Sequence, residues 1–287
     1  MMDYSFLDGL LLNHTLSENV IITNLIPETS ITSIMCYDVN AQLESQLKRA
    51  MRDADEHAIR EIKEKLVRET DLPLFHVTGF QHPKMFIYTS ESPNYPVVSQ
   101  WGLVPFWAKD KKDIWNKTLN ARGETIFELN SFKRSAKDKR CIICINGFYE
   151  HHHHGKETVP YYISRKDGHP ISLAGLWNEW TDPETGEMLN TFSIVTTEGN
   201  PMMAEIHNNP KLKEPRMPVI LPDELEDAWL EPYRDELDQK RLEELLQPYP
   251  EAELTAHTVA KLRGKNAIGN QPEATDYFEY DDVKVEY

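Results

Sequence analysis

Between residues 85 and 221 the chain breaks into seven short runs of apolar and β-branched residues, at 85–89, 97–103, 140–149, 160–164, 171–177, 191–197 and 217–221. Each has the length of a strand, and all fall far short of the roughly 18 apolar residues that a membrane-spanning helix needs. The pattern predicts a mixed, β-rich domain with no transmembrane helix. Ahead of the runs, Leu43, Leu47, Met51, Ala54, Ala58, Ile62 and Leu66 recur at three-and-four spacing. That spacing predicts an amphipathic packing helix over 41–70, stopped by Pro73. The stretch 149–162, with Gly155-Lys156 at its middle, predicts a hairpin. Asn200-Pro201 predicts a capped short helix through Ile206 that sets His207 near its end. Acidic helices are expected over 223–230 and 233–246. With neither repeat nor low-complexity linker, residues 36–287 are expected to form one domain. Residues 1–35, whose first 34 carry no basic residue, are expected to be a detachable extension.

Charge narrows the function. The 31 basic and 47 acidic residues give a net charge of −16, which argues against non-specific binding of a polyanion. The distribution is uneven, because residues 109–140 hold ten basic side chains against five acidic ones. A local positive face still guides a polyanion within a Debye length, roughly 8 Å at physiological salt. The alternative for this stretch is a solvated loop and helix face. The three cysteines are too few for a disulfide scaffold, and no Lys or Arg precedes Lys48, so the basic start of a secretory signal is missing. A cytoplasmic protein is expected.

Two local motifs invite a metal and neither suffices. Cys141-Ile-Ile-Cys144 has the spacing of a redox or zinc half-site, but in a strand residues three apart face opposite sides, so both thiols are expected to be buried and structural. His151 to His154 also alternate along a hairpin, leaving at most two imidazoles on each face, and no metal or other cofactor is expected.

A third constellation consists of separated pieces in order: Met35-Cys36, Trp101-Gly-Leu-Val-Pro-Phe-Trp107, Asn120-Ala-Arg-Gly-Glu-Thr125, Arg140-Cys-Ile-Ile-Cys-Ile-Asn-Gly-Phe-Tyr-Glu150, Ala174-Gly-Leu-Trp177, Phe192-Ser-Ile-Val-Thr-Thr197, Ile206-His207-Asn208 and Arg216-Met-Pro-Val-Ile-Leu221. From Cys36 to about residue 280 the chain resembles the SRAP family of abasic-site processing proteins, also called SOS-response-associated peptidases. The resemblance implies an α+β fold with a β-rich barrel-like core, flanking helices and a positively charged groove. It implies a monomer that crosslinks covalently to abasic sites in single-stranded DNA, in the service of the DNA damage response, with associated autoproteolytic activity.

The catalytic residues implied are Cys36, Asn120, Glu150 and His207. A cysteine with a free α-amine offers a 1,2-aminothiol that closes a thiazolidine on the sugar aldehyde. An α-amine near pKa 8 is roughly 10% neutral at pH 7, far more than a lysine. Asn120 would orient the reacting groups, Glu150 act as general acid and base, and His207 assist proton transfer. Arg122 and Arg216 would contact phosphates, Trp101 and Trp107 wall the site or stack on bases, Pro83 press near the lesion, and His151 stack in place of the family's tryptophan.

This chain departs from the pattern at Asp38, where an arginine is usual, which is expected to weaken DNA affinity or shift the contact to other basic residues. It departs also in the residues ahead of Cys36, so the working protein is expected to begin at Cys36. Two other functions compete with this one: a non-covalent single-strand reader that has lost the chemistry, and a cysteine- or metal-dependent peptidase.

Overall fold

The apolar runs assemble into two sheets, one of which closes on itself. The computed structural model describes residues 37–53, 55–211, 213–284 and 286–287; the expectations for residues 1–35 and for Cys36 lie outside the described residues. In chain order the strands are β1 (Asp38–Ala41), β2 (Leu74–Thr78), β3 (Lys84–Thr89), β4 (Ser92–Trp101), β5 (Asn120–Arg122), β6 (Arg140–Ile145), β7 (Gly147–His154), β8 (Glu157–Arg165), β9 (Ile171–Thr181), β10 (Met188–Glu198), β11 (Arg216–Pro218), β12 (Ile220–Leu221) and β13 (Leu254–Thr258). The helices are α1 (Leu43–Gln46), α2 (Glu56–Glu61), α3 (Lys133–Asp138), α4 (Pro201–Ile206), α5 (Glu226–Leu230) and α6 (Glu236–Glu244).

Strands β10, β4, β3, β6 and β9 pair in that order, and β9 pairs back to β10. The closed circuit is a five-stranded barrel, to which β5, β11 and β12 are attached. The second sheet runs β13-β8-β7-β1-β2. This is the α+β, barrel-cored fold that the sequence leads one to expect. Among the described residues no helix is long and apolar enough to cross a membrane.

The single apolar run 140–149 becomes two strands in different sheets. Asn146 marks the change: its N–H donates to the Asn40 carbonyl at 2.9 Å. A Cβ on the next residue, Gly147, would lie 2.5 Å from the Ile163 carbonyl oxygen, so only glycine lets β7 come this close to β8. Along β6, Cys141, Ile143 and Ile145 enter one core cluster while Ile142 and Cys144 enter another. The two thiols therefore lie on opposite faces as expected, and burial pushes Cys144 up to about 11 and Cys141 well above its ordinary value.

The continuous helix expected over 41–70 is corrected by the structure. The segment is a series of short pieces: α1, a 3-10 turn at Ala50–Asp53, α2, a π turn at Ile62–Leu66 and a 3-10 turn at Val67–Glu69. Asp55 starts the chain afresh, because its carboxylate accepts the N–H groups of His57 and Ala58, both at 3.0 Å, and so caps α2. Leu47 and Ile62 still bury in the same cluster. The three-and-four spacing reported which side chains face the core, not whether the backbone between them is unbroken.

Candidate active site

Two local devices bring a carboxylate and an imidazole together. Glu150 sits in β7, buried, with Oε1 accepting the N–H of His151 at 3.0 Å. On the other side, Asn200 caps α4 by accepting the Met203 N–H at 2.8 Å, and Pro201 occupies the first turn, where its missing N–H costs nothing. The helix ends after six residues at His207, whose N–H donates to the Met203 carbonyl at 2.7 Å. The His207 ring is fully buried, with Nδ1 3.1 Å from the Arg216 carbonyl oxygen and 3.6 Å from Glu150 Oε2. The Arg216 N–H lies farther from Nδ1, at 3.4 Å. The nearer partner is a carbonyl, which only accepts, so this contact favours the hydrogen on Nδ1.

Asn120 is buried on β5, paired in parallel with Ile194 of β10. The same strand, β10, pairs with β11, which carries the Arg216 whose carbonyl holds His207. Arg122, two residues along β5, is half exposed and bonded to Glu214.

Several residues expected at a DNA surface are inside the protein. Trp101 is fully buried: its ring stacks on Phe192 and its Nε1–H donates to the Leu119 carbonyl at 2.8 Å, so it packs within the core. Pro83 is buried too, its carbonyl taken by the Trp101 N–H at 3.0 Å. Arg216 has a 3% exposed side chain and grips Glu124 through paired bonds of 2.7 and 2.9 Å, with a third donation to the Thr196 carbonyl at 2.9 Å. Burial raises Glu124, but the Arg216 bonds outweigh it and hold the carboxyl below its ordinary value. A guanidinium so committed clamps β11 to Glu124 and to the Thr196 carbonyl of β10. From the basic stretch, Arg140 likewise turns inward onto the carbonyls of Trp229 and Ala136, at 2.8 and 2.7 Å. Trp107, by contrast, is about half exposed, beside exposed Phe106.

His151 is buried, and its ring lines a cavity of about 430 Å³ with His153, the next residue on its face of β7. Burial, and then repulsion from Arg263, push its pKa down to about 4. Below its ordinary value near 6.5 the unfolded chain takes up a proton that the folded chain refuses, so this contribution to stability is complete above pH 6.5 and falls as pH drops toward 4. Urea unfolding is expected to lose about 3 kcal/mol more between pH 7 and pH 4 for the parent than for His151→Gln. Parallel pH dependences for the two proteins would contradict the assignment.

At position 38 the sequence places an anion where an arginine is usual, and the structure shows what that anion meets. Asp38 is buried, with Oδ1 3.3 Å from His76 Nε2 and Oδ2 accepting from the Arg263 guanidinium. Burial raises its pKa, yet the His76 bond and the Arg263 charge prevail and lower it. No local signal in the sequence couples residues this far apart.

A carboxylate and an imidazole in contact and shielded from water, here carried by a barrel-cored α+β domain, are the kind of pair that can exchange protons. The chain belongs to the SOS response associated peptidase (SRAP) family, whose model matches residues 36–265. It is 37% identical over 207 residues to "Abasic site processing protein YoqW" of Bacillus subtilis, an alignment spanning 69% of this chain and 88% of that one. It is 32% identical over 154 residues to "Abasic site processing protein HMCES" of Gallus gallus, spanning 46% and 44%. A crystal structure of a Bacteroides thetaiotaomicron protein superposes with a TM-score of 0.72 at 33% identity, covering 85% of this chain and all of that one. A Bordetella bronchiseptica protein shares the fold, with a TM-score of 0.62 at 24% identity, over 79% of this chain and all of that one.

Proposed function

We propose that this protein processes abasic sites in single-stranded DNA by a covalent thiazolidine on Cys36, and that the same residues support autoproteolytic release of what precedes it. The observation that carries the reading is the buried Glu150–His207 contact. It is joined by family membership and by the names of the relatives. The register of the second sheet adds to it. Asp38 pairs with Tyr149, so β1 runs beside the part of β7 that leads into Glu150. In the reading, the active form begins at Cys36 and acts as a cytoplasmic monomer.

The chemistry balances without a cofactor. The Cys36 amine adds to the C1′ aldehyde of the opened sugar and expels water as the imine forms. The thiolate then adds to the imine carbon, and the ring nitrogen takes up a proton. Glu150 supplies and removes the protons of ring opening and of water loss, and His207 relays between the sugar hydroxyl and the adduct. Asn120 holds the reacting groups by hydrogen bonding.

The test uses protein beginning at Cys36 and a uracil-containing oligonucleotide treated with uracil glycosylase, run on a denaturing gel. A retarded band supports the proposal, and its absence overturns it. Glu150→Gln is expected to slow band formation by roughly 10²-fold, the low end of what a positioned acid–base group contributes. An unchanged rate would remove Glu150 from the mechanism.

A further inference from the structure

We propose that Arg263, anchored by Asp38, forms with Lys261 and Lys156 a binding site for the phosphodiester backbone of single-stranded DNA, in the cavity that His151 and His153 of β7 line. The polyanion's identity rests on the function proposed above; the site itself rests on the geometry.

The cavity of about 430 Å³ has the size of a small-ligand pocket. Its described lining brings Lys156, Lys261 and Arg263 together against one carboxylate, Glu157, and His151 adds no positive charge at neutral pH because burial keeps it unprotonated. This concentrates cations on a protein of net charge −16, from residues that lie outside the basic stretch 109–140. The cavity wall is tied through the backbone to the segments that carry Glu150 and His207. His151 follows Glu150 in β7, and the His153 N–H donates to Asn208 Oδ1 at 2.7 Å while Asn208 Nδ2 donates back to the His153 carbonyl at 3.1 Å. That clamp fastens the cavity wall to the residue after His207.

Asp38 explains why the arginine is usable. A carboxylate buried this deeply is tolerable only when paired, and Arg263 supplies the pair from the C-terminal loop. A guanidinium has five N–H donors. Binding Asp38 uses one edge, and the side chain remains 47% exposed, so the remaining donors are available to an anion. Asp38 then serves as a positioning residue for a cation and no longer counts as a simple loss of DNA affinity.

The test is fluorescence anisotropy of an intact, labelled oligothymidylate with the parent and with Arg263→Ala, Arg263→Lys and Lys261→Ala, titrated between 50 and 300 mM salt, with thermal melts recorded for each. Losing one phosphate contact is expected to reduce the slope of log K against log salt by about 0.7 and to weaken binding roughly fivefold at 0.1 M salt. Arg263→Lys, which keeps the charge, is expected to recover the slope. Unchanged slopes in Arg263→Ala and Lys261→Ala would overturn the site. Should Arg263→Ala fail to fold, Lys261→Ala decides, because that side chain is not part of the Asp38 pair. Slope changes seen only with an RNA of equal length would overturn the DNA assignment. A parent that binds through these residues but gives no adduct with abasic DNA refutes the proposed chemistry and leaves the site standing. A parent that forms the adduct while the variants keep its salt slope refutes the site alone.

Discussion

Protein beginning with alanine or serine at position 36 is expected to give no denaturation-resistant adduct with abasic DNA, the band falling to background. Alanine keeps the α-amine, so an imine still forms, but nothing closes on it and it reverts in water. Serine offers an oxygen in place of a thiolate, a far weaker nucleophile near neutral pH, where a free thiol of pKa about 8.5 is already a few per cent ionised. The same loss is expected when Cys36 keeps its thiol but stays joined to Met35, because an amide nitrogen carries no basic lone pair to add to the aldehyde. Denaturing gels paired with intact-mass measurement separate these forms. A full-strength band from a chain whose measured mass still includes residues 1–35 would place the chemistry on another group.

Glu226→Ala is expected to destabilise the fold by about 3 kcal/mol, lowering the melting temperature by roughly 6–12 °C in a domain of this size. Glu226 is buried on α5, where Oε1 meets Lys48 at 2.8 Å and Ser172 Oγ at 2.6 Å, and Oε2 meets Arg49 at 2.6 Å. The Arg49 side chain is fully buried, and its remaining partners are Asp227 at 2.6 Å and the Pro93 carbonyl at 2.8 Å. Removing the carboxylate leaves much of a buried charge uncompensated, which costs more than the pair itself contributes. The network ties the segment just after β1 to α5. A melting shift under about 2 °C by scanning calorimetry would show that Asp227 alone satisfies Arg49.

What was legible in the sequence was short-range. The Asn200-Pro201 cap, the end of α4 at His207, the hairpin turning at Gly155 and the opposite facing of Cys141 and Cys144 all depend on groups a few residues apart. Glu150 and His207 were both singled out through a family pattern, but their 3.6 Å contact is a product of β7 and α4 meeting. Burial, by contrast, was decided at a distance. Trp101 and Arg216 have the chemistry of a nucleic-acid surface, yet one is stacked in the core and the other is locked to Glu124. The spacing of Leu47 and Ile62 was that of one helix, and the Asp55 cap divided it.

By itself, then, the sequence determined the elements, because backbone capping, turn formation and strand alternation act over two to four residues and need no partner from elsewhere. It also set out the chemistry on offer, the carboxylate, the imidazole and the thiol. Only the tertiary structure decided which charges face water and which face each other: Arg216 turned in to Glu124, Arg49 to Glu226, and Asp38 to Arg263 across nearly the whole chain. The reason is energetic. A buried charge is acceptable only beside its counter-ion, and which counter-ion stands beside it depends on how the strands close, a relation that no local pattern of residues encodes.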